Sequence, residues 1–289
     1  MSTYIELLIS GLVLGSIYAL MSVGLTLIYG ITKVLNYAQG SLFTLTAYLA
    51  FVFFSNFVSM NYFVVFFITL ALMAVIGFVF EKIFIRPVRR LPGWDFTVII
   101  VTLGTALLID NLFLVIFGPL QKTLPRAFEG SLVLGAFRIT KHNLFIIVAA
   151  LLTIVILDRF LSKTRVGMSM RAVAQSSEGA RIVGLDVDKV FGYSFATAGV
   201  LAGIAGILLT PRTLIYPLVG WPVFQKGLVV MVFGGLGSIK GTLYAAFILG
   251  MVEIIISYVF GARWALPVFI IILIVVLVFR PKGLAGRWQ

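Results

Sequence analysis

The run Tyr62-Phe-Val-Val-Phe-Phe-Ile-Thr-Leu-Ala-Leu-Met-Ala-Val-Ile-Gly-Phe-Val-Phe80 carries no charge at all. A hydrocarbon core about 30 Å thick takes about 20 such residues at helical rise. Comparable runs occupy Leu7 to Ile31, Leu42 to Phe57, Phe96 to Phe117, the neighbourhood of Leu144 to Leu157, and Val190 to Thr210, and more follow toward the C-terminus. The chain therefore reads as an all-α, polytopic membrane helix bundle. Function must lie in the few polar positions inside the spans and in the one long polar loop that reaches the cytoplasm.

Composition agrees. Of 289 residues, 61% are hydrophobic and 11% charged, against about 45–50% and about 25% in soluble domains. No polar block is long enough to fold as a second, soluble domain, so residues 1–289 form a single transmembrane domain. The N-terminal Met1-Ser-Thr-Tyr-Ile-Glu6 has no basic segment ahead of the first apolar run, so no cleaved signal peptide is expected. The absence of cysteine excludes disulfides and thiol chemistry. The net charge of +12 is read as the Lys and Arg excess of cytoplasmic loops, not as a nucleic-acid surface.

About nine spans are expected, with eight to ten as the range. They fall near 5–30, 37–57, 61–82, 95–117, 143–161, 190–210, 222–236, 242–260 and 264–280. Three basic clusters, Arg86/Arg89/Arg90, Arg159/Lys163/Arg165/Arg171/Arg181/Lys189 and Arg280/Lys282/Arg287, are placed inside. That puts the N-terminus outside and the C-terminus in the cytoplasm. Loop 118–142, with Lys122, Arg126, Arg138 and Lys141, opposes this assignment but carries fewer charges than the inside loops. The weakest span is 222–236, which is short enough to be tilted or re-entrant. Pro87, Pro92-Gly93, Gly118-Pro119, Pro211, Gly261 and Pro281 mark the helix ends. Small residues recur at helical spacing as Gly11/Gly15/Ala19, Ala198/Ala202/Gly206 and Gly199/Gly203, a pattern that lets helices approach closely in lipid.

Two glycine-bearing polar segments, Tyr29 to Ser41 and Gly234 to Gly241, interrupt the apolar pattern. Paired interruptions of this kind mark substrate routes in transporters. Neither is a nucleotide loop, because G-x-G-x-x-G after a strand and G-x-x-x-x-G-K-[ST] are both absent. Asn36, Gln39 and Ser41 in the first segment, with Asp110 and Asn111 in the fourth span, are the candidate polar lining of a route. Glu253 and Lys226 are further intramembrane charges, and buried charge is a functional hypothesis by default. His142 is expected at a membrane interface. No metal-ligand set or nucleophile–base pair can be assembled, so no enzyme chemistry is expected.

The longest inside loop, 162–189, reads as two short helices. Ser177 is the expected N-cap of the second, Glu178 suits its first turn, Gly184 ends it, and Asp186 caps the next span. A separately capped helix between two spans suits presentation to a cytoplasmic partner.

Glu178-Gly179-Ala180-x-x-x-Gly184 resembles the E-A-A-x-x-x-G coupling loop of ABC importer permeases, with Gly179 in place of the first alanine. Its surroundings, Arg165-Val-Gly-Met-Ser-Met-Arg171 through Gly184-Leu185-Asp186, are similar to the high-affinity branched-chain amino acid permeases (LivH-like). So are Gly15-Ser-Ile-Tyr-Ala-Leu20, Gly24-Leu-Thr-Leu-Ile-Tyr-Gly30, Asn36-Tyr-Ala-Gln-Gly40 and Gly234-Gly-Leu-Gly-Ser238. The resemblance runs in order through the whole chain. In the family the Asn36 segment commonly reads N-F-A-H-G; Tyr37 and Gln39 depart from it.

The resemblance implies a permease subunit of the prokaryotic cytoplasmic (inner) membrane, importing branched-chain amino acids or related small solutes. It implies two cytoplasmic ATPase subunits, which hold ATP and Mg, a second homologous permease or a second copy, and an extracytoplasmic solute-binding protein. This chain itself would bind no cofactor and no nucleic acid, and membrane lipid would surround it. Glu178, Gly179, Ala180, Arg181, Gly184 and Leu185 would then face the ATPase. The rival reading is an ion-coupled secondary transporter, against which the scarcity of deep carboxylates counts. Transport that collapses with an uncoupler while ATP is held constant would favour it.

Overall fold

The computed structural model describes residues 2–56, 60–134 and 137–285. Arg287 of the C-terminal basic cluster and Phe57 at the end of the second expected span lie outside them. The helices, in chain order, are α1 (Ser2–Thr32), α2 (Gln39–Asn56), α3 (Tyr62–Phe80), α4 (Arg86–Val88), α5 (Trp94–Phe117), α6 (Lys141–Lys163), α7 (Arg165–Gln175), α8 (Ser177–Ile182), α9 (Val187–Leu209), α10 (Gly220–Gly234), α11 (Ile239–Val259) and α12 (Ala265–Phe279). A π turn over Glu81–Ile85 joins α3 to α4. Pro87 lies just beyond it. Its ring crowds the carbonyl four residues back and it offers no N–H, which a widened turn accommodates.

Seven helical stretches among the described residues are long and apolar enough to cross a membrane: Tyr4–Thr32, Tyr62–Val88, Trp94–Phe117, Lys141–Lys163, Val187–Arg212, Ile239–Val259 and Ala262–Phe279. The two other expected spans coincide with α2 and α10. The first is only 18 residues long and rich in small polar residues; the second has 15 residues.

One departure from a purely helical chain lies in loop 118–140. Strands β1 (Ser131–Leu134) and β2 (Phe137–Thr140) form an antiparallel hairpin with Ser131 opposite Thr140. Lys122 and Ile215 also exchange backbone hydrogen bonds, 3.0 and 2.8 Å. The hairpin and this bridge occupy the end of the bundle away from α7 and α8.

The core sits around α1 and α9. In the most apolar window of each, 89% and 78% of residues are buried, against 28% in α5 and 11% in α12. The outer helices are apolar all round, with Val115 and Phe279 more than four-fifths exposed, as helices facing lipid must be. The small-residue stripes are helix contacts. Gly15 of α1 meets Gly250 of α11 so closely that a Cβ on Gly250 would stand 2.5 Å from the Gly15 nitrogen. Gly199 and Gly203 face Met73 on α3, while Gly206 faces Phe43 and Thr46 on α2.

Candidate functional site

The first interruption is a buried joint at mid-depth. α1 stops at Thr32, Lys33 adopts a left-handed φ of 59°, and the Tyr37 N–H donates to Thr102 Oγ1 at 3.2 Å. Asn36 Oδ1 accepts the Ala38 N–H at 3.1 Å, and its Nδ2 lies 3.5 Å from Gln39 Oε1. Gln39 Nε2 donates to the Ala198 carbonyl at 2.9 Å, and Ser41 Oγ to the Ala106 carbonyl at 3.2 Å. Ala198 and Ala106 are central in α9 and α5, so α2 begins near the middle of the bundle. Irregular backbone at that depth survives only where protein or water satisfies it, and these side chains do so. Asn36, Gln39 and Ser41 are all nearly inaccessible.

α10 also starts below the far surface. Its Gly220 N–H donates to Thr44 Oγ1 at 3.0 Å, and Gly220 crosses Gly40 backbone to backbone with no room for a side chain on Gly220. Tyr37 and Phe224 pack beside this crossing, 5.5 Å between ring centroids. The second interruption turns tightly at the opposite end of α10. Gly235 and Gly237 hold φ of 109° and 80°, and Ser238 caps α11 by accepting the Gly241 N–H at 3.3 Å. The two interruptions come together: Gly30 faces Gly237, and the hydroxyls of Thr26 and Thr242 lie 2.9 Å apart.

Asp110 is buried in α5, where its Oδ2 accepts the Trp221 indole N–H at 2.6 Å. Asn111 is exposed on the next face, its Nδ2 donating to the Leu107 carbonyl at 2.7 Å. Both line a cavity of about 400 Å³ that Gln121 and Tyr216 close from the loops. The five expected route residues thus divide. Asn36 and Gln39 belong to the joint, Asp110 and Asn111 to the cavity, and Ser41 lies between them on α2. His142 is in the first turn of α6, at the end of a membrane-crossing stretch, and is buried there, with Nε2 3.1 Å from the Leu208 carbonyl.

A second cavity, about 540 Å³, holds the two other intramembrane charges. Lys226 Nζ donates to Glu253 Oε1 at 2.6 Å, and Tyr18 Oη donates to Glu253 Oε2 at 2.6 Å. The sequence marks both charges but not Tyr18, nor the fact that α1, α10 and α11 bring all three together. Among the described residues no group of His, Cys, Asp and Glu could hold a metal ion.

At the other end, α8 stands as a separate capped helix. Its N-cap is Ser176, whose hydroxyl accepts the Gly179 N–H at 3.0 Å, and not Ser177, which is the first helical residue. Gly184 ends it with φ 82°. Its N–H donates to the Arg181 carbonyl and the Leu185 N–H to the Ala180 carbonyl, both at 3.0 Å, the Schellman pattern. Asp186 caps α9, accepting the Lys189 N–H at 3.1 Å. That backbone donor, with the Lys189 side chain, holds the Asp186 carboxyl below its ordinary value. Glu178 and Arg181 are exposed, whereas Ala180 is buried and Leu185 packs against the core. Between them Ile182 and Val183 are 86% and 75% exposed, an apolar tip that the sequence reading omits.

α8 abuts an ionic cluster. Arg86 donates to Glu81 Oε2 at 2.8 Å, and Arg89 lies 3.5 Å from Glu81 Oε1. Arg89 also pairs with Asp188 and stacks over the Phe191 ring at 3.8 Å. Arg86, Arg89, Glu178, Arg181 and Asp188 line one cleft of about 330 Å³. The π turn ending α3, the start of α9 and the helix α8 therefore meet at one place.

Residues 7–277 match the family described as branched-chain amino acid transport system, permease component. The chain belongs to that family. It is 28% identical to the high-affinity branched-chain amino acid transport system permease protein BraD of Pseudomonas aeruginosa, over 98% of this chain and 96% of BraD. It is 27% identical to the corresponding permease LivH of Escherichia coli, with the same coverage. The probable LivH permease of Methanocaldococcus jannaschii is 28% identical, over 95% of this chain and 90% of that protein. No solved structure matches. The family is a membrane permease component of ABC transporters and not an enzyme.

Proposed function

We propose that this chain is the transmembrane permease subunit of an ATP-driven importer that moves branched-chain or other hydrophobic amino acids across the cytoplasmic membrane. Residues 1–289 act as one permease domain with the coupling loop 162–189 in the cytoplasm. The N-terminus lies outside and the C-terminus inside. α2 and α10 complete about nine spans; at helical rise they extend about 27 and 22 Å, and their mid-depth ends are covered by protein. Two ATPase subunits carry ATP and Mg, a second permease or second copy completes the route, and a solute-binding protein delivers cargo.

The observation that carries this reading is the capped helix α8, whose exposed residues stand beside the Glu81–Arg86–Arg89–Asp188 cluster. A motor gripping Glu178, Gly179, Arg181 and Gly184, with Ile182 and Val183 in an apolar pocket, moves α3 and α9 through that cluster. Ala180 and Leu185 anchor the helix to the bundle. Two global states, open outward and open inward, then alternate. Asp110 and Asn111, with Asn36, Gln39 and Ser41 at the joint, border the route.

The test is the double variant Glu178→Ala/Arg181→Ala. It should reduce recovery of the ATPase with the affinity-purified permease while leaving the permease inserted. Undiminished recovery removes the docking assignment.

A further inference from the structure

Lys226, Glu253 and Tyr18 line a different cavity from that of Asp110, although Gln121 and Tyr216 border both. Lys226 is six residues into α10, about 9 Å at helical rise, and α10 itself begins below the far surface. Tyr18 is near the middle of α1. The ion pair is therefore close to mid-depth, at the floor of a cavity whose rim includes Gln121, Thr213 and Tyr216. Substrate sites of transporters lie at this level. A charge pair at that depth is costly unless it faces protein or a water-filled space. Neither group is sealed, with 19% and 9% of the Lys226 and Glu253 side chains exposed.

Both groups have bonding capacity left. Lys226 spends one of three ammonium donors on Glu253. Glu253 accepts one hydrogen bond on each oxygen, and each oxygen has a second lone pair. The rest of the wall is apolar, with Leu14, Leu209, Val219 and Val223 around the pair.

We propose that this cavity binds an apolar L-amino acid as its zwitterion, a proposal that rests on the amino-acid importer reading above. The ligand carboxylate lies on the Lys226 ammonium and the ligand ammonium on the Glu253 carboxylate. The ligand side chain lies against the four apolar residues. Tyr18 is a positioning residue that holds Oε2 of Glu253 and turns Oε1 toward the cavity. Without ligand, the two charges neutralise each other. With ligand, one internal pair is exchanged for two intermolecular ones, so no charge is left unpaired in either state. An amine without a carboxylate, or a carboxylate without an amine, leaves one protein charge uncompensated, which a poorly solvated site penalises heavily. The pair thus selects zwitterions, while the wall selects apolar side chains.

The chain has no cysteine, so Thr213→Cys, at the cavity rim, gives a single reporter there. The assembled transporter carrying it is treated with a hydrophilic maleimide in membrane vesicles, after leucine uptake has been verified. Leu214→Cys, beside it on the same cavity, replaces it if Thr213→Cys does not transport. Millimolar L-leucine should slow the modification several-fold, whereas leucinamide and isocaproate should not. The neutral pair Lys226→Met/Glu253→Gln, which leaves no unpaired charge to disturb folding, should abolish the protection. Protection that persists in this double variant, or that isocaproate or leucinamide reproduces, overturns the zwitterion site. Absent protection in a transporter that takes up L-leucine overturns the site and leaves the importer reading intact. If the unmodified transporter takes up no leucine, the importer reading fails, and this site with it.

Discussion

Lys226 and Glu253 stand 27 positions apart in sequence and share one short hydrogen bond, with Tyr18 a further 235 positions from Glu253. Each charge is legible as an interruption of an apolar run. Their pairing is not, because it depends on how α1, α10 and α11 pack. Removing one member of a buried pair typically costs about 3–5 kcal/mol, while replacing both by neutral groups costs far less. Partial exposure of Lys226 places the expectation at the lower end. Lys226→Met alone and Glu253→Ala alone should therefore lower the detergent-solubilised thermal midpoint, and Lys226→Met/Glu253→Gln should recover most of the loss. A loss in the double variant equal to the sum of the two single losses would mean that the two side chains act independently and that their pairing contributes nothing to the fold. Asn36 and Gln39 are legible in the same way as polar positions in a membrane stretch, whereas the partners of their amides, Ala38, each other and Ala198, follow from the folded joint. Asn111 is exposed at the cavity beside Asp110. Asn111→Leu should lower uptake without lowering ATPase association, and full uptake in that variant would retire its role in the route.

At the scale of elements, helix positions were readable because apolar runs, prolines and glycines set them directly. α3, α5 and α9 lie within a few residues of their expected limits. The N-cap of α8 fell one residue earlier than expected because Ser176 and Ser177 are both competent caps, and the choice depends on backbone geometry. The C-terminal cap was legible because Gly184 supplies the left-handed turn that a Schellman motif needs. Gly184→Ala forces a side chain into φ 82°, at a cost of about 1–2 kcal/mol. Amides of α8 should then exchange with solvent faster, and ATPase recovery should fall with them. Unchanged exchange in α8 would show that the turn is not what ends the helix. The hairpin of β1 and β2 was missed. Its two four-residue strands are shorter than the window over which alternation can be told from loop sequence. Asp186 adds a pH dependence. Its folded-state pKa is depressed, so its capping contribution is present at neutral pH and is lost as pH falls through that lowered value.

For the molecule as a whole, two features far apart in sequence prove to be neighbours. The glycine-bearing breaks meet at Gly30 and Gly237 and through Thr26 and Thr242. A chain with two such breaks could be suspected of paired halves, but contact between them is a property of the folded bundle. One end gathers α3, α9 and α8 around Arg89, while the cavities open toward the loops of the opposite end. Force applied at one end can reach the other only through the helices between them. In the proposed importer that force comes from another polypeptide. The most direct measurement is L-leucine accumulation in sealed proteoliposomes. The purified chain alone, with ATP present and with or without an ion gradient, should show none. The same chain assembled with its ATPase subunits, companion permease and binding protein should accumulate leucine only when ATP is hydrolysed. Accumulation against a gradient by the chain alone would contradict the assignment of an external motor.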